Sequence, residues 1–183
     1  MFSAASTFLR YIILIACCFG TASVIAAGAE ELAEYHQTIK QKFETVNHIN
    51  ADTLATLTDD TVLFDVREPD EFEVSHLEGA IRIAPDISEK EFLQNFAELT
   101  KGKSVVFYCS VGYRSSQLAA SVQGNLQASG SQEIFNLEGG IFNWHNERRR
   151  LVNKNGPSDD IHPYDRYWGR LLERSNMIRY HAN

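Results

Sequence analysis

Cysteine is nearly absent from this chain of 183 residues: there are three, with Cys17 and Cys18 side by side near the start and Cys109 alone. A disulfide-stapled scaffold is thereby excluded, because such frameworks need several paired thiols. Proline (4) and glycine (11) are also few, which excludes collagen-like and low-complexity chains. Basic side chains are in deficit, 17 Lys and Arg against 24 Asp and Glu, for a net charge of -7. A general nucleic-acid binder needs a basic face, so no nucleic-acid partner is expected, and an anionic substrate would have to be held by local chemistry. What remains is 44% hydrophobic and 22% charged, enough at this length for one domain with attachments and a buried core.

The first thirty residues read as an export segment. Met1 to Arg10 carries one basic and no acidic side chain, Tyr11 to Gly20 is almost wholly apolar, and Ala27-Gly28-Ala29 offers the small residues of a cleavage site. Residues 1–29 are expected to be a signal peptide, with a mature chain starting at Glu30 and exported to the periplasm or beyond. Two other readings stay open: an uncleaved membrane anchor, and lipidation of Cys17 at Leu14-Ile15-Ala16-Cys17. Cleavage removes Arg10 and no acid, leaving 16 basic against 24 acidic side chains and one cysteine, Cys109. A lone thiol in an oxidising compartment is a candidate reactive group, although a buried inert cysteine is the commoner case.

Beyond that segment short β-like runs alternate with helical patterns. Leu32 to Phe43 reads as a polar helical lead-in (30–45), and Val46 to Ile49 as an edge strand before a helix from Asp52 to Leu57. Val62 to Val66 is a buried strand. Pro69-Asp70-Glu71-Phe72 suits a first helical turn. Ile81 to Ile83 is a third strand. Ser88 to Glu91 forms a capping box for a helix whose Phe92, Phe96 and Leu99 share one face. Ser104 to Tyr108 is the most continuous β run, followed by Leu118, Val122 and Leu126 at helical spacing. Glu133 to Leu137 runs into Gly139-Gly140 and a helix with Ile141 and Trp144. This alternation predicts an α/β fold with a mainly parallel sheet of five strands and helices on both faces.

In such sheets ligands bind beyond the carboxyl ends of the strands. Cys109 falls there, at the start of the loop Cys109-Ser110-Val111-Gly112-Tyr113-Arg114-Ser115, with the next helix expected shortly after Arg114. Loop amides can curl around the sulfur, Gly112 permits backbone angles closed to other residues, and a helix N-terminus adds positive potential. All three favour an anion at the loop, and hence the nucleophilic thiolate.

With these residues the chain from about Val46 to Glu147 resembles a single-domain rhodanese, a sulfurtransferase whose loop cysteine carries sulfane sulfur as a persulfide. Three motifs carry the likeness: Asp65-Val66-Arg67 with Glu71-Phe72 and His76-Leu77-Glu78-Gly79-Ala80; the loop Cys109 to Ser115; and Leu137-Glu138-Gly139-Gly140-Ile141 with Trp144. Ser75 departs from the family, which commonly has Gly before the His. The resemblance implies a three-layer domain over 46–151, catalysis by Cys109, and substrate binding by Ser110, Val111, Gly112, Tyr113, Arg114 and Ser115. It implies a small sulfur donor such as thiosulfate and a thiol or cyanide acceptor, with no cofactor. Four residues separate Cys109 from Arg114, whereas cysteine phosphatases have five to seat a tetrahedral phosphate. Arg114, an always-charged fork, would draw in an anionic donor or support the loop. A non-catalytic binding module and a cysteine phosphatase or arsenate reductase are the alternatives.

Asp65 and Arg67 read as supporting residues, a structural ion pair ahead of a rim contact, and His76 as a structural hydrogen-bonding residue. Trp144 reads as core. Six scattered His with a single mature Cys make no metal-ligand cluster. After Leu151 a polar stretch with Gly156-Pro157 reads as a linker, and residues 152–183 as linker and helical extension. His162-Pro163-Tyr164-Asp165 would open a helix on which Tyr164, Trp168, Leu171 and Leu172 form an apolar stripe, with Arg166, Arg170 and Arg174 on another face. Core packing of that stripe is set against its use to dock a protein partner or as an arm laid near the loop that raises local positive potential.

Overall fold

Strand β4, Ser104–Tyr108, is buried over its last four residues, and its alternation organises the core. Val106 and Tyr108 enter one buried cluster while Val105, Phe107 and Cys109 enter the other, as a period of two residues across a two-sided sheet requires. A computed structural model describes residues 28–57 and 60–182. Residues 1–27 of the expected export segment (1–29), with Cys17 and Cys18, lie outside them. Among the described residues no helix is long and apolar enough to cross a membrane.

Five parallel strands form the sheet in the order β1-β5-β4-β2-β3: β1 is Asn47–Ile49, β2 Thr61–Asp65, β3 Ile81–Arg82 and β5 Ile134–Leu137. On one face lie α4 (Glu89–Thr100) and α5 (Tyr113–Ala128), supplying Phe92, Leu118, Val122 and Leu126 to the cluster around Phe64. The other face is covered by the helix of residues 28–42 (α1), by α2 (Ala51–Thr56) and by α6 (Gly140–Asn146). Helix α3 (Pro69–Val74) follows β2, with Pro69 at its first position and Glu71 closing a capping box on Glu68. The chain leaves β2 towards β3 on one side and β4 towards β5 on the other, so the loops after β2 and β4 part and leave a crevice at the carboxyl edge.

Three expectations need correction. Leu99 is 40% exposed: the last turn of α4 turns Thr100 inward instead, where its hydroxyl accepts from Ser131 Oγ (2.9 Å). Trp144 is half-buried at the edge of the core, with Nε1 donating to Arg150 O (3.0 Å). The expected long C-terminal helix is absent. With it goes the expected linker, which is instead a hairpin of β6 (Leu151–Asn153) and β7 (Gly156–Ser158); in place of the helix stand one helical turn α7 (Arg166–Gly169) and a 3-10 turn at Ser175–Met177. The reason lies in Asn146, which accepts from Glu173 N (3.0 Å) and donates to Leu171 O (2.9 Å), taking backbone groups that a helix would pair internally. Leu171 and Leu172 are both buried in the core cluster. Of the expected stripe, these two are core and Trp168 packs against that cluster, while Tyr164 is exposed; Arg170 and Arg174 pair with Glu31 and Asp159.

Helix α1 docks through Leu32, His36 and Ile39. His36 Nδ1 accepts from Gly139 N (3.4 Å), and its ring meets that of His48 edge-on at 5.1 Å. The Nε2 atoms of both rings are buried without hydrogen-bond partners. Burial, helped by His36 and Lys40, lowers the His48 pKa to about 4, and burial lowers that of His145 to about 4. Because the folded pKa lies below the unfolded one, the unfolded chain binds more protons between about pH 6.5 and 4. Stability from these groups is complete above pH 6.5 and declines as pH falls towards 4. At pH 5 the two groups together lose up to about 4 kcal/mol, so the melting temperature is expected to drop by about 10 °C between pH 7.5 and 5, on a scale where about 1 kcal/mol moves it by roughly 3 °C. A flat profile over that interval in scanning calorimetry would contradict this.

Candidate active site: the loop around Cys109

Cys109 follows directly on β4 and is 1% exposed. The next three residues turn the chain into α5, which begins at Tyr113; Tyr113, Arg114 and Ser115 thus belong to its first turn, earlier than the sequence suggests. Gly112 caps that helix with φ 99°, the left-handed region that only glycine enters without strain. Its amide donates to Cys109 Sγ (3.2 Å). The loop carbonyls point away from the sulfur. Cys109 O accepts from Ile141 N (2.9 Å), Ser110 O from Phe142 N (3.0 Å), and Gly112 O from Ser116 N (3.1 Å) and Ser116 Oγ (2.7 Å). With its carbonyls held outside and the N-terminus of a sixteen-residue helix beside it, the sulfur sits where negative charge is favoured.

Gly140 makes this arrangement possible. It has φ 58°, and a Cβ placed there would stand 2.3 Å from Cys109 O and 2.6 Å from Ser110 O. The sequence suggests only a tight turn at Gly139-Gly140; the fold shows the start of α6 pressed against the nucleophile loop. Gly140→Ala is expected to cost about 2–4 kcal/mol of stability through overpacking and backbone strain. Chemical denaturation measures this, and a loss below 1 kcal/mol would mean that the loop yields without resistance.

A carboxylate that sequence reasoning did not assign to the site, Glu71, anchors it. Arg114 Nη1 donates to Glu71 Oε2 (2.9 Å) and Nη2 to Glu71 Oε1 (3.0 Å), while Ser110 Oγ donates to Glu71 Oε1 (2.7 Å) and accepts from Arg114 Nη2 (2.9 Å). Burial opposes the charge on Glu71, but Arg114 outweighs it and holds the carboxyl below its ordinary pKa. Burial likewise opposes the charge on Arg114, and Cys109 and Glu71 outweigh it, so the guanidinium pKa rises. The one signal in the sequence was the position of Glu71 at the third residue of α3, where it also accepts from Glu68 N (3.0 Å). The Arg114 fork is thus occupied by the protein itself.

Asp65 and Arg67 lie beneath this layer as a buried pair. Arg67 Nε donates to Asp65 Oδ1 (2.8 Å) and Nη2 to Oδ2 (2.6 Å), and Arg67 also reaches Ser75 O (2.7 Å) and Glu71 O (3.3 Å). Burial opposes the Arg67 charge; Asp65 more than compensates, raising its pKa. Arg67 therefore ties the end of β2 to α3, the helix that presents Glu71. Tyr108, fully buried, accepts from Leu77 N with its hydroxyl (3.1 Å). His76 stacks on Phe72 at 3.8 Å with Nδ1 against Phe72 O (2.9 Å), a structural placement. Ser115 is buried on α5 and, unlike Ser110, Val111, Tyr113 and Arg114, does not line the cavity over Cys109.

That cavity has a volume of about 440 Å³. Its floor is Cys109 to Val111, and its walls include Tyr113, Arg114, and side chains of α1 and of the C-terminal extension that the sequence placed in no site.

Among the described residues one cysteine stands at the carboxyl end of a central parallel strand, where a short loop turns into α5 and the first amides of α6 hold the loop carbonyls; this defines an α/β protein with its site at the carboxyl edge of the sheet. The chain belongs to the Rhodanese-like domain family, which matches residues 50–147, just over half its length. It is similar to a tRNA uridine(34) hydroxylase of Bacillus pumilus, 34% identical over 89 residues that cover 46% of this chain and 26% of that protein. It is also similar to the uncharacterized protein YqhL of Bacillus subtilis, 38% identical over 82 residues, covering 45% and 59%. The chain thus spans about a quarter of the first of these curated relatives and under two thirds of the second. Among solved structures, a rhodanese-related protein from Thermoplasma volcanium is 27% identical with a TM-score of 0.44, covering 58% of this chain and 97% of that one.

Proposed function

We propose that this protein is a sulfurtransferase that moves sulfane sulfur through a persulfide on Cys109. The observation that carries the reading is the loop itself: the Gly112 amide donates to Sγ, the loop carbonyls are turned away, and the cavity opens over the sulfur. Such a ring stabilises a negative charge electrostatically on the sulfur or on one further sulfur atom attached to it.

In the first step the Cys109 thiolate attacks the outer sulfur of thiosulfate. A new S–S bond forms, the bond to the sulfonyl sulfur breaks, and its electron pair leaves with sulfite. In the second step an acceptor thiolate or cyanide attacks the terminal sulfur, and the Cys109 thiolate departs as leaving group. No general base is required, since both nucleophiles react as anions. Arg114, held by Glu71 and Ser110, keeps the loop in shape. The reading includes an exported location, on the apolar run and small-residue site at the N-terminus.

Incubation of the purified protein with thiosulfate is expected to add one sulfur, about 32 Da, to the peptide containing Cys109 in intact-mass and peptide mapping, and cyanide should remove it as thiocyanate. Absence of an adduct with thiosulfate and with an organic thiosulfonate, while the fold is intact, would overturn the proposal.

A further inference from the structure

The family match ends at residue 147 and begins at residue 50, yet the mouth of the Cys109 cavity is built by segments outside those limits. Helix α1 contributes Tyr35 and Ile39, and the C-terminal extension contributes Tyr164 and Trp168. These are not loose flaps. The rings of Tyr35 and Trp168 pack at 5.1 Å, the Tyr35 and Tyr167 hydroxyls are hydrogen-bonded at 2.8 Å, and Trp168 packs on the core that holds Leu171. Tyr164 adopts φ 66°, a conformation costly for a bulky residue, with its amide donating to His162 Nδ1 (3.0 Å). Its ring, 48% exposed, stands over the Arg114 guanidinium at 5.1 Å.

The charge in this space is already matched. Arg114 is the only cationic side chain among the described residues lining the cavity, and both of its terminal nitrogens are bound to Glu71. Thiosulfate, a small and strongly hydrated dianion, finds there an ion pair in place of a free cation and a wall of aromatic carbon in place of donors. The volume of about 440 Å³ is within the roughly 300–1,000 Å³ of pockets that hold organic ligands, well beyond what four oxygen and sulfur atoms need.

We infer that Tyr35, Tyr164 and Trp168 form a subsite for the apolar or aromatic body of an organic sulfane-sulfur donor, so that the preferred donor class is an organic thiosulfonate or persulfide with a ring-sized substituent. This rests on the sulfurtransferase reading of Cys109 and names its substrate class. With benzenethiosulfonate the Cys109 thiolate attacks the terminal sulfur, the S–S bond to the sulfonyl group breaks, and benzenesulfinate leaves with the electron pair. Its phenyl ring replaces one charged oxygen of thiosulfate and meets the aromatic wall, where stacking and desolvation of carbon favour it.

The test compares kcat/KM for benzenethiosulfonate and thiosulfate, with cyanide as acceptor, in wild type, Tyr164→Ala and the conservative Trp168→Phe. Using the ratio of the two donors within each protein cancels their intrinsic difference in reactivity, and melting curves confirm that each variant is folded. The benzenethiosulfonate-to-thiosulfate ratio is expected to fall about tenfold in Tyr164→Ala, expressed in KM, and by a smaller factor in Trp168→Phe. A fall below fivefold in Tyr164→Ala, with both donors active on the wild type, overturns the subsite and leaves sulfur transfer standing. Failure of both donors to load Cys109 in the wild type overturns sulfur transfer itself.

Discussion

Replacing Cys109 with serine is expected to lower sulfur transfer by at least about 10³-fold, or roughly 4 kcal/mol on the barrier, while the domain stays folded. A serine hydroxyl is far less acidic than a thiol, and its oxygen cannot carry sulfane sulfur through an S–S bond that an acceptor then cleaves. The fold should tolerate the change. The side chain is 1% exposed but its recorded polar partner is the Gly112 amide, and a hydroxyl oxygen accepts from that donor as readily. Thiocyanate formation and the mass adduct should vanish together, with the melting temperature within a few degrees of wild type. Residual turnover near wild-type rates would show that another group carries the sulfur.

Removing Asp65 should be the most damaging single truncation for stability. Asp65→Ala leaves the Arg67 guanidinium, fully buried, without a countercharge, and breaking such a pair from one side typically costs about 3–5 kcal/mol. The pair also organises the site at one remove. Arg67 donates to Ser75 O and to Glu71 O, so its loss of position loosens α3 and with it the carboxylate that holds Arg114 and Ser110. Activity should therefore fall along with stability at temperatures well below the transition. Urea unfolding gives the first quantity and the cyanide assay the second; a destabilisation under 1 kcal/mol would mean that solvent or another acid reaches Arg67. The double variant Asp65→Leu, Arg67→Met should recover part of the loss, since an apolar pair avoids the buried unpaired charge but leaves the two carbonyls without donors.

Local pattern carried most of the domain. Strand β4 was legible because four β-formers, Val105 to Tyr108, stand in a row, α5 because Leu118, Val122 and Leu126 recur at helical spacing, and α4 because Ser88 caps it, accepting from Glu91 N (3.2 Å). Cys109 was placed at a strand's carboxyl end by the same reasoning, and the shortness of its loop by counting. All of these are interactions within a few residues or periodicities of one element, which the sequence states directly. Leu99 and the C-terminal helix were misjudged where spacing alone was followed: burial of a face depends on what lies opposite it, and Asn146, far along the chain, took the backbone groups of Leu171 and Glu173.

The sequence by itself determined the class of the fold, the order of the elements through α6, and the place of Cys109 at the end of a strand. Only the tertiary structure decided what surrounds it. Glu71 stands 43 positions from Arg114, and Gly140 presses on a loop 31 residues earlier. Tyr35 and Trp168, which wall the cavity together, come from opposite ends of the described chain. Contacts of that range are set by how the layers close on one another, and no periodicity in the sequence encodes which side chains meet when they do.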